Sequence, residues 1–269
     1  MPAPLILAIL NRVETAPAVL RAANTMARVF PGAVVDLLRP RPDVDPDFMP
    51  TEEVMSPERQ AGFEAAQEAL TARLVTLAAE AGGMPFPREV RGTVRKVVAA
   101  QAAQAVLVVA GAPGDGGRSP ARDAVEAALL DARAPLLLLP ERAGGGLAGT
   151  VAVAWERSRA AGDAVEAALP ILLAAQRVVV LVADEGHARA DLPGGLMEAV
   201  RRSGPEPALR RFELGNRDIG DAILAEAASE RADLLVMGAF TRPRILEAVF
   251  GGATREILKG ARIPLLLHH

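Results

Sequence analysis

The chain repeats itself, and the repeat restricts what it can fold into. Asp131-Ala-Arg-Ala-Pro-Leu-Leu-Leu-Leu, near the middle, returns at the end as Gly260-Ala-Arg-Ile-Pro-Leu-Leu-Leu-His. Ahead of each, at a similar offset, Ala105-Val-Leu-Val-Val-Ala-Gly is matched by Ala232-Asp-Leu-Leu-Val-Met-Gly. Within each half, short aliphatic runs alternate with amphipathic stretches. That is the pattern of parallel strands buried on both faces and joined by crossover helices. Strands are expected at 5–10, 33–38, 88–91, 105–110 and 135–139, and again at 150–155, 178–182, 208–212, 233–237 and 263–267. The reading is a tandem duplication, two βαβαβαβαβ units in one chain.

Punctuation supports this. Thr15 with Pro17 marks a helix start for 15–30, Ser56-Pro57-Glu58 marks a second, and Gly82-Gly83 ends it. Phe63, Leu70, Leu74 and Leu77 share one face of that second helix. The first half is longer because of 39–51, RPRPDVDPDFMPT, whose Pro and Asp content predicts irregular structure. Glu141-Arg-Ala-Gly-Gly-Gly-Leu-Ala-Gly reads as a flexible joint. The expected division is a first domain at 1–140, a linker at 141–149 and a second domain at 150–269.

Composition narrows the function classes. Hydrophobic residues make up 51% of the chain, enough for full cores. There is no Tyr, one Trp and seven Phe, and the formal charge is −3, so the aromatic platforms and basic groove of a single-strand nucleic-acid binder are missing. No apolar run approaches the ~20 residues of a membrane helix, and the amino-terminal stretch reads as a strand rather than a signal peptide. Without cysteine there is no disulfide or thiolate chemistry. These features lead us to expect a cytoplasmic protein with neither nucleic acid nor membrane as partner.

The segment VAVAWERSRAAGDAVEAALPIL opening the second half, and DLLVMGAFTRPRILEAVFGGATREILKGARIPLLL closing it, closely resemble a universal stress protein domain. The likeness is strong over 149–268. Over 4–140 it rests on the order of elements and the last two strands. The resemblance implies two open, mostly parallel five-stranded sheets flanked by helices, paired through their last strands, so that 135–139 meets 263–267 within one molecule. Both runs are apolar and would otherwise be exposed sheet edges. It also implies a stress-response role and, in many members, ATP held by a loop of pattern G-x2-G-x9-G-[S/T] after the fourth strand.

Here Gly238 takes the first glycine position of that pattern and Thr241 stands at the second, a departure. Gly251 takes the third, and Gly252 replaces the hydroxyl residue, with Thr254 two positions on. The physical case stands beside the resemblance. A glycine pair opening a helix at 253–259 leaves free N–H groups for an anion, and Arg242 and Arg244 add charge. A β-branched Thr241 resists the positive φ open to glycine. On this reading Gly238, Thr241, Arg242, Gly251, Gly252, Ala253 and Thr254 hold phosphates. The resemblance also places Glu156 at the ribose and backbone groups near Val182 at the base. The plainer reading is that the glycines only make tight turns and close packing. Trp155 either stacks on a base or simply packs at a strand end.

The first half departs further. Asn11 replaces the acid, and its loop begins Gly111-Ala-Pro-Gly114. Alignment through the last strand puts Arg122 and Asp123 where Gly251 and Gly252 stand. Asp123 there caps a helix and repels phosphate, so this half is expected to be structural.

Other signals carry less. Asp43-Val-Asp-Pro-Asp lacks the glycine and closing Glu of a calcium loop. His187, His268 and His269 have no partners at ligand spacing, so no metal site is expected. Ser119 and Ser158 read as helix caps. No base, nucleophile and orienting group come together, and the sequence does not announce an enzyme. Any ATP hydrolysis would be slow and incidental. Three readings remain: a regulatory site for ATP with Mg²⁺ in the second domain, a scaffold for protein partners that binds no nucleotide, or a site for a different small ligand.

Overall fold

The computed structural model describes residues 2–45, 55–114, 119–141, 146–156, 158–184, 194–239 and 260–269. Packing divides the chain into two compact units, Met1–Ala134 and Pro135–His269.

In the first unit the order is β1 (Leu5–Ile9), α1 (Ala16–Val29), β2 (Val34–Arg41), α2 (Pro57–Glu80), β3 (Arg88–Arg91), α3 (Val94–Ala102), β4 (Leu107–Gly111) and α4 (Pro120–Glu126). A π-helical turn, Ala127–Asp131, continues α4. The strands lie in the order β3-β2-β1-β4, all parallel. The uninterrupted Leu-Ile-Leu-Ala-Ile of β1 suits a central strand covered on both sides. Its neighbour α1 turns Val19, Leu20, Ala23 and Met26 into the core.

The helix α2 is capped as its sequence predicts: Ser56 Oγ accepts from the Arg59 amide at 3.3 Å. It ends at Gly82 and Gly83, with φ of 65° and 67°, a backbone region open to glycine. Of its expected apolar face only Leu74 is buried, with Ala78, while Phe63, Leu70 and Leu77 are half-buried. The reason is a second stripe, Glu64, Gln67 and Thr71, that faces β2 and β3 through polar contacts.

One expectation is corrected here. Residues 39–41 are regular, continuing β2 in register with β3, with Pro40 opposite Val90. Proline is tolerated because β1 pairs with β2 only as far as Leu38, so no ladder bond is lost on that side. Residues 46–51 of the expected irregular segment lie outside the described residues.

The second unit contains β5 (Leu136–Leu139), β6 (Thr150–Ala154), α5 (Arg159–Ala174), β7 (Arg177–Asp184), α6 (Gly194–Ser203), β8 (Ala208–Glu213), α7 (Ile219–Ser229), β9 (Leu234–Gly238) and β10 (Leu265–His268). Its strand order is β5-β10-β9-β6-β7-β8. The ladders from β10 to β8 are parallel. β5 runs antiparallel to β10, with Leu136, Leu137 and Leu138 opposite Leu267, Leu266 and Leu265. All six leucines are buried, and each fully buried leucine stabilises by roughly 1.5–3 kcal/mol. α5 presents Ala161, Ala164, Val165, Ala168, Ile171 and Leu172 to the core, a helical spacing of apolar residues. At the start of the sheet Asp233 ties β9 to β6, its carboxylate accepting from the Thr150 amide at 2.8 Å.

Candidate nucleotide site

In the second unit the chain leaves β6 toward β7 and β8, then returns to place β9 on the other side of β6. Open parallel sheets take ligands in the crevice outside the carboxyl ends of such a pair. Ala154, the last residue of β6, lies opposite Met237 on one side and Leu181 on the other. Glu156, Gly238 and Val182 therefore stand at the carboxyl ends of three neighbouring strands.

Each of the three has a definite setting. Glu156 is exposed, and its carbonyl accepts from the Ser158 amide at 2.8 Å. Val182 is buried in β7, opposite Arg211 of β8. Gly238 closes β9 against the first turn of α5: a Cβ there would lie 2.6 Å from the Ala161 nitrogen and 2.7 Å from the Ala160 carbonyl carbon. Its lack of a side chain is thus required by packing. The Ala161 amide already donates to Ser158 Oγ at 3.1 Å, the expected cap. Trp155 is 9% exposed and extends the β6–β7 ladder by donating its amide to the Leu181 carbonyl at 2.9 Å. It is a packed residue. Thr241, Arg242, Gly251, Gly252, Ala253 and Thr254 lie outside the described residues, as does His187.

Sequence reasoning did not anticipate His268. It sits opposite Gly238 in the β9–β10 ladder, and its carbonyl accepts from the Ala239 amide at 2.7 Å. Its Nδ1 is buried without a hydrogen-bond partner among the described residues. Burial pushes the imidazole pKa down, against the pull of Asp163 and Glu166 on α5. Among the described residues no group of three or more His, Cys, Asp or Glu could hold a metal ion.

The equivalent crevice in the first unit, outside β1 and β4, is differently furnished. Gly111 closes β4 against Thr15, whose side chain would meet a Cβ at that position. Thr15 accordingly makes no side-chain cap bond for α1. Arg12 crosses from the end of β1 to the residues after β4, donating from Nη1 to the Ala112 carbonyl at 2.8 Å. Its guanidinium lies 3.5–3.7 Å from where a Gly114 Cβ would be. The cap of α4 is Ser119, which accepts from the Arg122 amide at 3.3 Å, and Asp123 falls in the first helical turn instead of the capping position. The sequence signal for Arg12 was its place beside Asn11, but its partner is a hundred residues away.

These features define a class: an open parallel α/β fold whose crevice lies at a strand-order switch point. Residues 148–269 match the model of the universal stress protein family. The chain thus carries a universal stress protein family domain, and over its whole length it has the fold of such proteins. A universal stress protein from Archaeoglobus fulgidus DSM 4304 superposes with a TM-score of 0.70 at 15% identity, covering 100% of this chain and 99% of its own. A universal stress protein assigned in Pseudomonas aeruginosa UCBPP-PA14 superposes with a TM-score of 0.57 at 16% identity, covering 99% and 93%. A universal stress protein in complex with cAMP covers 46% of this chain and 99% of its own, at 19% identity and a TM-score of 0.35. Among curated proteins, none matches the sequence. No helix among the described residues is long and apolar enough to cross a membrane.

Proposed function

We propose that this is a cytoplasmic stress-response protein of two tandem domains, 1–140 and 150–269 joined by 141–149, whose second domain binds ATP with Mg²⁺ as a regulatory ligand. The observation that carries the reading is the exposed Glu156 beside Val182 at the carboxyl ends of β6 and β7, next to the switch point. Glu156 would take the ribose hydroxyls and backbone groups near Val182 the base. Gly238, Thr241, Arg242, Gly251, Gly252, Ala253 and Thr254 would surround the phosphates, with Mg²⁺ neutralising them. With no residue assigned to position water, hydrolysis would be slow and incidental. The two domains, on the 1–140 and 150–269 division, would pair through 135–139 and 263–267.

The second reading, a scaffold for protein partners without nucleotide, is favoured by one observation: Gly238 is already explained by the approach of α5. Calorimetric titration with ATP and Mg²⁺ separates the two. The nucleotide reading expects one site per chain at micromolar affinity, abolished by Gly251→Asp with folding intact. No heat from ligand-free protein favours the scaffold. Unchanged affinity in Gly251→Asp would refute the site assignment.

A further inference from the structure

The end of α4 is wound against its own sequence. Glu126-Ala-Ala-Leu-Leu-Asp131 holds no glycine, proline or β-branched residue, and alanine and leucine are among the best α-helix formers. Yet Ala127–Asp131 is a π turn, closed by the Ala132 amide donating to the Ala127 carbonyl at 2.9 Å. Such turns are rare, and local propensity does not favour one here, so the cause lies in tertiary contacts.

The contact that distinguishes the two windings is made by Arg95, in the first turn of α3. Its Nε and Nη2 donate to the two oxygens of Asp131 at 2.6 and 2.8 Å, a side-on fork. Its Nη1 donates to Glu126 at 3.1 Å. On an α-helix, residues five apart point about 140° away from each other and face different neighbours. Bonding from i to i+5 brings them over one another, within reach of a single guanidinium. The Glu126 side chain is 9% exposed, whereas those of Arg95 and Asp131 are 42% and 34% exposed, so the fork closes the outer side of the turn. The hydrogen bonds to Asp131 are also the chief cause that raises the Arg95 pKa.

The other half of the duplication lacks this grip. At the offset that matches Asp131 to Gly260, Arg95 matches Leu224 and Glu126 matches Arg255, which lies outside the described residues. Gly260 and Leu224 are neighbours as well: a Cβ on Gly260 would lie 3.0 Å from Leu224 Cδ1. The same juncture thus holds a charged fork in the first unit and a leucine against a glycine in the second. We propose that Arg95 is a clamp on a two-state segment: gripping Glu126 and Asp131 together holds 127–131 in the π winding, and opening the grip rewinds it as α-helix. In the α state the Ala132 amide bonds the Ala128 carbonyl, and Asp131 turns away from α3. The clamp lies in the first unit and does not depend on the nucleotide reading of the second.

Crystal structures of the full chain carrying Arg95→Leu or Asp131→Ala test it. Arg95→Leu installs the residue that the second half carries at the matching position. Both variants are expected to lose the bond from the Ala132 amide to Ala127 and to gain one to the Ala128 carbonyl. Should Arg95→Leu fail to fold, Asp131→Ala, a change at a half-exposed side chain, carries the test alone. A π turn that persists in either folded variant overturns the proposal, because the packing of Ala127, Ala128 and Leu129 would then dictate the winding without the clamp.

Discussion

The strands β4 and β9 each end on a glycine held against the start of a helix, α1 and α5, yet the two crevices beside those glycines are furnished in opposite ways. In the second unit Gly238 meets the α5 backbone, and Glu156 stands exposed at the neighbouring strand end. In the first unit Gly111 meets Thr15, and Arg12 bonds across the crevice to Ala112. The comparison teaches that the glycine is not evidence for a ligand. Packing demands it in a crevice that an arginine already spans, so it would be demanded in a crevice that binds nothing. What separates the two halves is the acid after the first strand and the composition of the loop after the fourth, Gly251-Gly252 against Arg122-Asp123.

The comparison breaks most visibly at the glycines. Gly238→Ala places a methyl against backbone that cannot rotate away, so the second unit should lose about 3 kcal/mol in urea unfolding. Gly111→Ala meets a side chain instead, and a loss of about 2 kcal/mol is expected. Shortening Thr15 to Ala in the same chain should recover part of that loss, a coupling a double-mutant cycle reads directly. Equal losses with no recovery would mean that Thr15 is not what confines Gly111.

A smaller effect is expected from Arg12→Ala. Losing the bond to Ala112 should cost about 1 kcal/mol, and the variant should still take up no nucleotide in its first half, because Asp123 remains in the first turn of α4. A second ATP site appearing in that variant would show that Arg12 alone closes the crevice.

The smallest effects are pH-dependent and have opposite signs. Burial tends to raise the Glu89 pKa, but hydrogen bonds from Thr71 and Arg41 outweigh it and bring it below the usual carboxylate range. Its contribution is therefore complete above the unfolded value of about 4.3 and lost as pH falls through the lower folded value. Glu126 is pushed up, chiefly by burial and despite Arg95 at 3.1 Å. Its contribution is complete below about 4.3 and lost as pH rises through the raised value. Urea midpoints measured from about pH 3 to pH 7 should show the deficit of Glu89→Gln growing with pH. Those of Glu126→Gln should move in its favour over the same range. Parallel curves would contradict both assignments.

Much of the fold was legible because the strands are uninterrupted aliphatic runs bounded by turn residues. All ten expected segments are strands, with ends shifted by a residue or a few. The caps Ser56, Ser119 and Ser158 were legible for a similar reason, since their bonds close over three residues. Failures came where the deciding partner is distant in sequence. Arg39-Pro40-Arg41 looks irregular locally, yet it continues β2 in register with β3, its arginines reaching Glu64, Gln67 and Glu89 on other elements. Thr15 looks like a cap, but its side chain makes no cap bond and fills the space a Cβ at Gly111 would need. At the candidate site, the location of Glu156, Val182 and Gly238 could be read from strand order, whereas the packing demand on Gly238 could not.

The proposed function rests on an asymmetry, a nucleotide site in the second half of the chain and none in the first. Native mass spectrometry of the full chain equilibrated with ATP and Mg²⁺ counts bound nucleotides directly. The account predicts one per chain in the wild type and none in Gly251→Asp. Two per chain, or one that persists in Gly251→Asp, would contradict it.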